Sequence, residues 1–204
     1  MYITRFYQKE FPDQDDVVMV QIGNESEYGY NCALLEYGLM DGFLSISELV
    51  KGKYVKKHLL KKDEVCSLSV LKIDPVKKLV ELSRKRTTDA DKHTVTIKYD
   101  ICSKINKLMN ECYIMHIKYC ETKNSQPYQI DQIMNDTIWK LYSDNEEESN
   151  YNTLYRNLLE DLNLILPIGL FSDDFVNKTK SNIEQRIDKT NVTMENDFIL
   201  LVTD

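Results

Sequence analysis

Six lysines, Lys51, Lys53, Lys56, Lys57, Lys61 and Lys62, fall within twelve residues that contain no acid. Such a cluster can release counterions from a polyphosphate backbone, and so bind RNA without reading its sequence. A solvated polar loop is the ordinary alternative for a run of like charge. Residue 50, directly before the run, is Val50, and no Ser or Thr occurs from Glu48 to Cys66. A Ser/Thr kinase therefore finds no acceptor hydroxyl in this segment.

Other constellations are weaker. Cys112, His116 and Cys120 lie at i, i+4 and i+8 of a predicted helix. Adjacent members could share a metal, but structural zinc takes four ligands and no fourth is evident nearby; core packing is the reading we adopt, with no metal and no cofactor. His58 and His93 stand beside no nucleophile signature, and no GxxxxGK[ST] phosphate loop is present. Nothing in the sequence points to an enzyme.

The composition fits packed domains: 204 residues, 42% hydrophobic, with 13 Tyr, 6 Phe and a single Trp. The net charge is −7, and it is uneven. Residues 1–90 carry 14 basic and 14 acidic side chains, whereas 91–204 carry 12 and 19. An acidic average argues against a general nucleic-acid coat, although a local patch still decides binding. The five cysteines form no CxxC pair, which suits reduced thiols in the cytoplasm. No stretch approaches the roughly 18 apolar residues that would span a bilayer.

Short strands are expected at Val17–Ile22, Tyr30–Glu36, Phe43–Ile46, Val65–Ile73 and Lys78–Leu82, with turns at Gly23-Asn24, Asp41-Gly42 and Asp74-Pro75. On the fourth, Val65, Ser67, Ser69, Leu71 and Ile73 share one face, with Leu68 and Val70 on the other. Five strands in about 80 residues suggest a small closed barrel, an all-β OB-fold. Residues 84–93 are polar and read as a linker.

Beyond it the apolar period becomes helical. Ile97, Ile101, Ile105, Leu108, Cys112, Met115 and Tyr119 make one stripe. Ile130 to Leu141 makes a second helix and Tyr151 to Leu162 a third. A fourth starts at Ser172 and continues through Phe175, Thr179, Ile183 and Ile187. The expected division is a barrel over 1–87, an all-α helical domain over 88–190 and a tail over 191–204. Phe198–Val202 in that tail reads as the first strand of a further domain or as a strand docked on an existing edge.

Arg5-Phe6-Tyr7, Phe11-Pro12, Asp16-Val17-Val18-Met19-Val20, Leu34-Leu35-Glu36-Tyr37, Asp41-Gly42 and Ser47-Glu48-Leu49 follow one another without a gap to Val50. Together with Asp74 and Leu82-Ser83-Arg84-Lys85-Arg86, this pattern resembles the alpha subunit of translation initiation factor 2. Thr137-Ile138-Trp139 extends the resemblance into the helical half.

The resemblance implies a non-catalytic subunit that helps deliver initiator tRNA to the small ribosomal subunit and messenger RNA, GTP chemistry belonging to the gamma subunit. Gamma would be a partner only where a further α/β domain exists. In the family a serine at the position of Val50 is phosphorylated by stress kinases. Its replacement reads either as loss in a lineage without such kinases or as escape from shut-off, as a viral factor would need. The family's kinase-docking Lys-Gly-Tyr-Ile-Asp is here Lys77, Lys78, Leu79, Val80 and Glu81, which erodes that surface. A rival implication is a pseudosubstrate decoy that occupies the double-stranded-RNA-activated kinase. Asn145-Glu146-Glu147-Glu148 replaces a basic loop of the family's helical domain, so RNA contacts of that domain are not expected here.

Overall fold

The structure is a computed structural model and describes residues 5–50, 60–143, 157–158, 161, 164 and 171–181. Among these, 5–110 belong to one compact unit; 111–143 and the described later residues belong to a second.

The first unit is built on strands β1 (Val17–Glu25), β2 (Gly29–Leu34), β3 (Met40–Ser45), β4 (Val65–Asp74) and β5 (Leu79–Ser83). They close as β1-β2-β3-β5-β4, antiparallel throughout except for the parallel pair β3–β5. This is the expected OB-like barrel. Alternate residues fill it: Val18, Val20 and Ile22 from β1, Tyr30, Cys32 and Leu34 from β2, Leu44 from β3, and Val80 and Leu82 from β5. Burial of each large apolar side chain stabilises the barrel by about 1.5–3 kcal/mol.

Three local expectations fail for identifiable reasons. Gly23-Asn24 is no turn but lies within β1, which continues to Glu25 through an irregularity in its register with β2 between Ile22 and Glu25. Asp41-Gly42 is no turn but part of β3. A Cβ on Gly42 would come within 2.7 Å of Leu34 Cδ1 and 2.8 Å of Leu82 Cδ1, so the glycine makes room in the core. The chain reverses instead just before β3, where Gly38 and Leu39 take φ of 67° and 62°. On β4 the register shifts between Val70 and Lys72. Leu68 and Val70 face the core before this bulge, and Ile73 packs against the core after it, so strict alternation could not assign Ile73.

The segment Arg5–Tyr7 latches onto the barrel through Glu36. The Phe6 amide donates to the Glu36 carbonyl at 2.8 Å. Tyr7 Oη donates to Glu36 Oε1 and the Met19 amide to Oε2, each at 2.8 Å. Phe6 stacks on Tyr99 with ring centres 5.7 Å apart, and Lys98 Nζ lies 4.8 Å from the Tyr7 ring centre. Both Tyr99 and Lys98 belong to α1 (Asp89–Lys123). Burial pushes the Glu36 carboxyl up, with the two donors opposing the shift.

Helix α1 begins inside the expected linker because Thr88 and Asp91 form a reciprocal cap. The Asp91 amide donates to Thr88 Oγ1 at 3.2 Å, and the Thr88 amide to Asp91 Oδ2 at 2.9 Å. Its buried stripe is Ile101, Ile105, Met109, Cys112, His116 and Cys120, rotated from the predicted one, and Ile97 is exposed. The expected second helix is two, α2 (Ile130–Asp136) and α3 (Ile138–Ser143). Between them Thr137 leaves the helical region, with φ −126° and ψ −93°, and its hydroxyl donates to the Ile133 carbonyl at 2.6 Å. Residues 173–181 are helical, and Ser172 Oγ accepts from the Phe175 amide at 3.4 Å as the expected cap. Most of the expected third helix and all of the 191–204 tail lie outside the described residues.

The latch makes a direct prediction. Tyr7→Phe leaves Glu36 Oε1 without the donor it has now, so the substitution should cost about 1–3 kcal/mol in urea or thermal unfolding. An unchanged unfolding midpoint would show that Tyr7 Oη contributes nothing to the latch.

Candidate nucleic-acid interface

The chain leaves β3 through a 3₁₀ turn, Ile46–Glu48, and Glu48 ties that turn to the end of β5. Its carbonyl accepts the Arg84 and Lys85 amides at 3.0 and 3.1 Å. Its carboxylate takes Lys85 Nζ at 2.6 Å on Oε1 and Ser83 Oγ at 2.6 Å on Oε2. Lys85 Nζ also donates to the Ser47 carbonyl at 3.3 Å. Leu49 is buried, and Val50 is half-buried with its side chain packed on the barrel core. Position 50 is thus a hydrophobic contact at the departing foot of the lysine arm.

The returning foot is equally fixed. Leu60 is buried in the barrel core. The Lys61 amide donates to Glu64 Oε2 at 2.9 Å and the Glu64 amide to the Lys61 carbonyl at 3.1 Å. Asp63 turns with φ 66°. Its amide donates to the Ile22 carbonyl, and the Ile22 amide donates to the Glu64 carbonyl, both at 2.8 Å. The side chains of Lys61 and Lys62 are exposed. Lys51, Lys53, Lys56 and Lys57 lie outside the described residues.

The Lys77–Glu81 segment sits elsewhere. Asp74 Oδ1 accepts the Val76 and Lys77 amides at 3.1 and 3.0 Å and forms the turn before β5. Lys77, Lys78 and Glu81 are exposed, Leu79 is half-buried, and Val80 points into the barrel. Lys78 occupies the left-handed region, φ 51°, which a glycine adopts without penalty, and its Nζ meets Glu10 Oε1 at 2.8 Å. Leu79 pairs with Asp41 and Leu82 with Leu44. The segment therefore starts at the opposite end of the β3–β5 pair from the arm's foot, roughly 13 Å away at strand spacing.

The run Arg84-Lys85-Arg86, read from sequence as part of the resemblance and of the linker, stands beside the 3₁₀ turn, tied to Glu48 through the Arg84 and Lys85 amides. Three consecutive cations were visible in the sequence; their place at this turn depended on the β3–β5 pairing.

Cys112, His116 and Cys120 belong to the second unit, where all three are buried. His116 stacks on Tyr128 at 5.7 Å and meets the edges of Phe171 and Phe175 at 4.9 and 5.6 Å. The Tyr128 amide donates to His116 Nε2 at 3.2 Å, so that nitrogen is already occupied within the fold. Among the described residues no helix is long and apolar enough to cross a membrane.

Glu48 gives a pH signature. Burial alone would raise its carboxyl, but hydrogen bonds from Lys85 and Ser83, with the Lys85 and Arg86 charges, outweigh burial and hold it below its ordinary 4.5. A depressed folded-state value means the stabilisation is present above the unfolded value and is lost as pH falls through the folded one. Unfolding followed against pH should therefore show an acid decline below about pH 4.5. Glu48→Gln should flatten that limb and cost about 1 kcal/mol at neutral pH. Superimposable pH profiles would refute the clasp.

No family model matches this chain. Curated relatives do. The chain is 27% identical over 139 residues to eukaryotic translation initiation factor 2 subunit 1 of Plasmodium falciparum (isolate 3D7), a match covering 68% of this chain and 39% of that protein. It is 28% identical over 106 residues to the subunit alpha homolog of Arabidopsis thaliana, covering 52% and 31%. The chain thus spans well under half the length of these relatives. Among solved structures, the intact alpha subunit of aIF2 from Pyrococcus abyssi aligns with TM-score 0.56 at 18% identity, over 86% of this chain and 62% of that one. A chain of the a/eIF2alpha–aDim2p–rRNA complex from Pyrococcus horikoshii OT3 aligns with TM-score 0.52 at 18% identity, over 86% and 96%. The chain is thus similar in sequence to subunits of eukaryotic translation initiation factor 2, and it shares the fold of the aIF2 alpha subunit.

Proposed function

We propose that this chain is an alpha-subunit-like component of translation initiation that holds RNA through its barrel, without catalysis of its own. The observation that carries the reading is the arm's mounting. Both feet are fixed by buried leucines and backbone hydrogen bonds, and the intervening stretch is rich in lysine and free of acid. A fixed base lowers the ordering cost when the lysines meet a phosphate backbone. The partners are initiator tRNA, messenger RNA and the small ribosomal subunit in the cytoplasm, with gamma joined through an α/β domain where the protein has one. The division into a barrel over 1–87, a helical domain over 88–190 and a tail over 191–204 belongs to the same proposal. Lysine ammoniums are point charges rather than planar forks, so the arm senses phosphate density more than geometry.

Regulation differs from that of a serine-bearing subunit. Val50 offers no hydroxyl and packs on the core, so the arm escapes the serine phosphorylation that stress kinases apply in the family. The decoy reading needs a kinase-facing surface, for which the exposed Lys77, Lys78 and Glu81 are the candidates. Competition for the double-stranded-RNA-activated kinase against gamma pull-down separates these readings. Retention by gamma supports the subunit; selective retention by the kinase supports the decoy.

Two outcomes test the proposal. Replacing Lys51, Lys53, Lys56 and Lys57 with alanine should weaken single-stranded RNA binding and lower the salt slope of log K, by about 0.7 for each phosphate the arm no longer neutralises. An unaltered slope removes the arm from the interface. Incubated with the kinase, the native chain should take up no phosphate at position 50, whereas Val50→Ser should be labelled there. Failure of the serine variant to be labelled would mean that kinase docking is lost as well.

A further inference from the structure

We propose that Arg84 and Arg86 form a second, arginine-based tier of the RNA surface, gripping backbone phosphates beside the 3₁₀ turn from which the lysine arm departs. The inference rests on the RNA reading above and extends it to residues which that reading leaves unused.

Three consecutive cations leave the end of β5, and they have different fates. Lys85 is committed to Glu48 Oε1 at 2.6 Å and to the Ser47 carbonyl at 3.3 Å, and its side chain is two-thirds covered. Its charge is spent on holding the departing foot. Arg84 and Arg86 flank it. The Arg84 amide is tied to Glu48, which fixes the origin of its side chain beside the 3₁₀ turn. Burial lifts the Cys66 thiol to about 11, with Glu64 adding to the rise and the Arg84 charge opposing it. The antiparallel pairing of Ser83 with Ser69 runs the end of β5 toward the start of β4, the strand that the chain enters through Leu60–Glu64. Arg86 follows two residues on, and its charge helps to depress the Glu48 carboxyl. Its Nη1 is 3.8 Å from Asp15 Oδ1, and both side chains are more than half exposed. At that length and exposure the pair is weak and leaves the guanidinium open to a stronger anion.

The resulting surface has a stated composition. Lys61, Lys62, Arg84 and Arg86 supply four positive charges on the two feet and the end of β5, and Asp15, Glu48, Asp63 and Glu64 are acids on the same segments; Glu48 is paired with Lys85. Glu64 is engaged with the Lys61 amide. The planar guanidinium can take two oxygens of one phosphate, a geometry the arm's lysines cannot supply. The ligand class that fits both tiers is the sugar–phosphate backbone of a single-stranded ribonucleotide, read by charge and spacing rather than by base.

The test uses the full chain and a fluorescent single-stranded uridine oligoribonucleotide, titrated at several salt concentrations. Arg84→Gln combined with Arg86→Gln should weaken binding several-fold to tenfold and lower the salt slope by about 1.4, two phosphates at about 0.7 each. The thermal midpoint should fall only slightly, since the Lys85–Glu48 pair is intact and Arg86 adds only part of the charge that keeps Glu48 ionised. Asp15→Asn should act in the opposite direction and tighten binding, because it frees Arg86 while asparagine tolerates the φ of 70° at that position. Damage to folding cannot produce that gain. An unchanged slope in the double variant, beside a reduced slope in the arm-lysine variant, overturns this inference and leaves the RNA reading standing. No change in either variant overturns both.

Discussion

Everything placed around the lysine arm depends on β5 lying parallel to β3. An antiparallel hairpin would have put consecutive segments side by side. The parallel pairing instead brings Ser83–Lys85, some 35 residues later in the chain, against the 3₁₀ turn that follows β3. Glu48 then becomes a hub whose carbonyl and both carboxylate oxygens are engaged by the far end of the barrel. Without barrel closure, Leu49 and Val50 would be the start of an ordinary loop. With it, they are part of the core, and the arm departs from a fixed point.

The latch at Glu36 uses similar chemistry for a different purpose. A carboxylate accepts only, and here it faces two donors, the Met19 amide and the Tyr7 hydroxyl. Burying such a group is costly unless its oxygens are satisfied. Tyr7 and Met19 meet that requirement, and Phe6 and Tyr7, through Tyr99 and Lys98, hold this part of α1 against the same unit. Glu36 and Glu48 thus differ in electrostatic sense: burial dominates the first, while a paired ammonium and a hydroxyl dominate the second.

The second unit uses its polar residues inwardly. His116, Tyr128, Phe171 and Phe175 pack as an aromatic cluster, with the histidine nitrogen accepting a backbone amide. Thr137 is also buried in this unit. These residues fix helix positions and breaks, as at Thr137, where a hydroxyl bonded to the preceding turn accompanies the end of α2.

By itself the sequence determined the five-stranded barrel, the helical half, the cap at Ser172 and the absence of a hydroxyl at position 50. These are local signals: period-two and helical apolar spacing, turn residues, and the identity of one side chain. Tertiary structure decided what local spacing cannot encode. Gly42 looked like a turn because glycine's use as empty space appears only once Leu34 and Leu82 close over it. Ile73 changed face because a bulge consumed one residue. The helix began at Asp89 because the reciprocal Thr88–Asp91 cap outweighed a polar composition. Arg84 and Lys85 gained their place beside the 3₁₀ turn only through the β3–β5 pairing, since contacts made by barrel closure join residues far apart in sequence and leave no periodic mark on it.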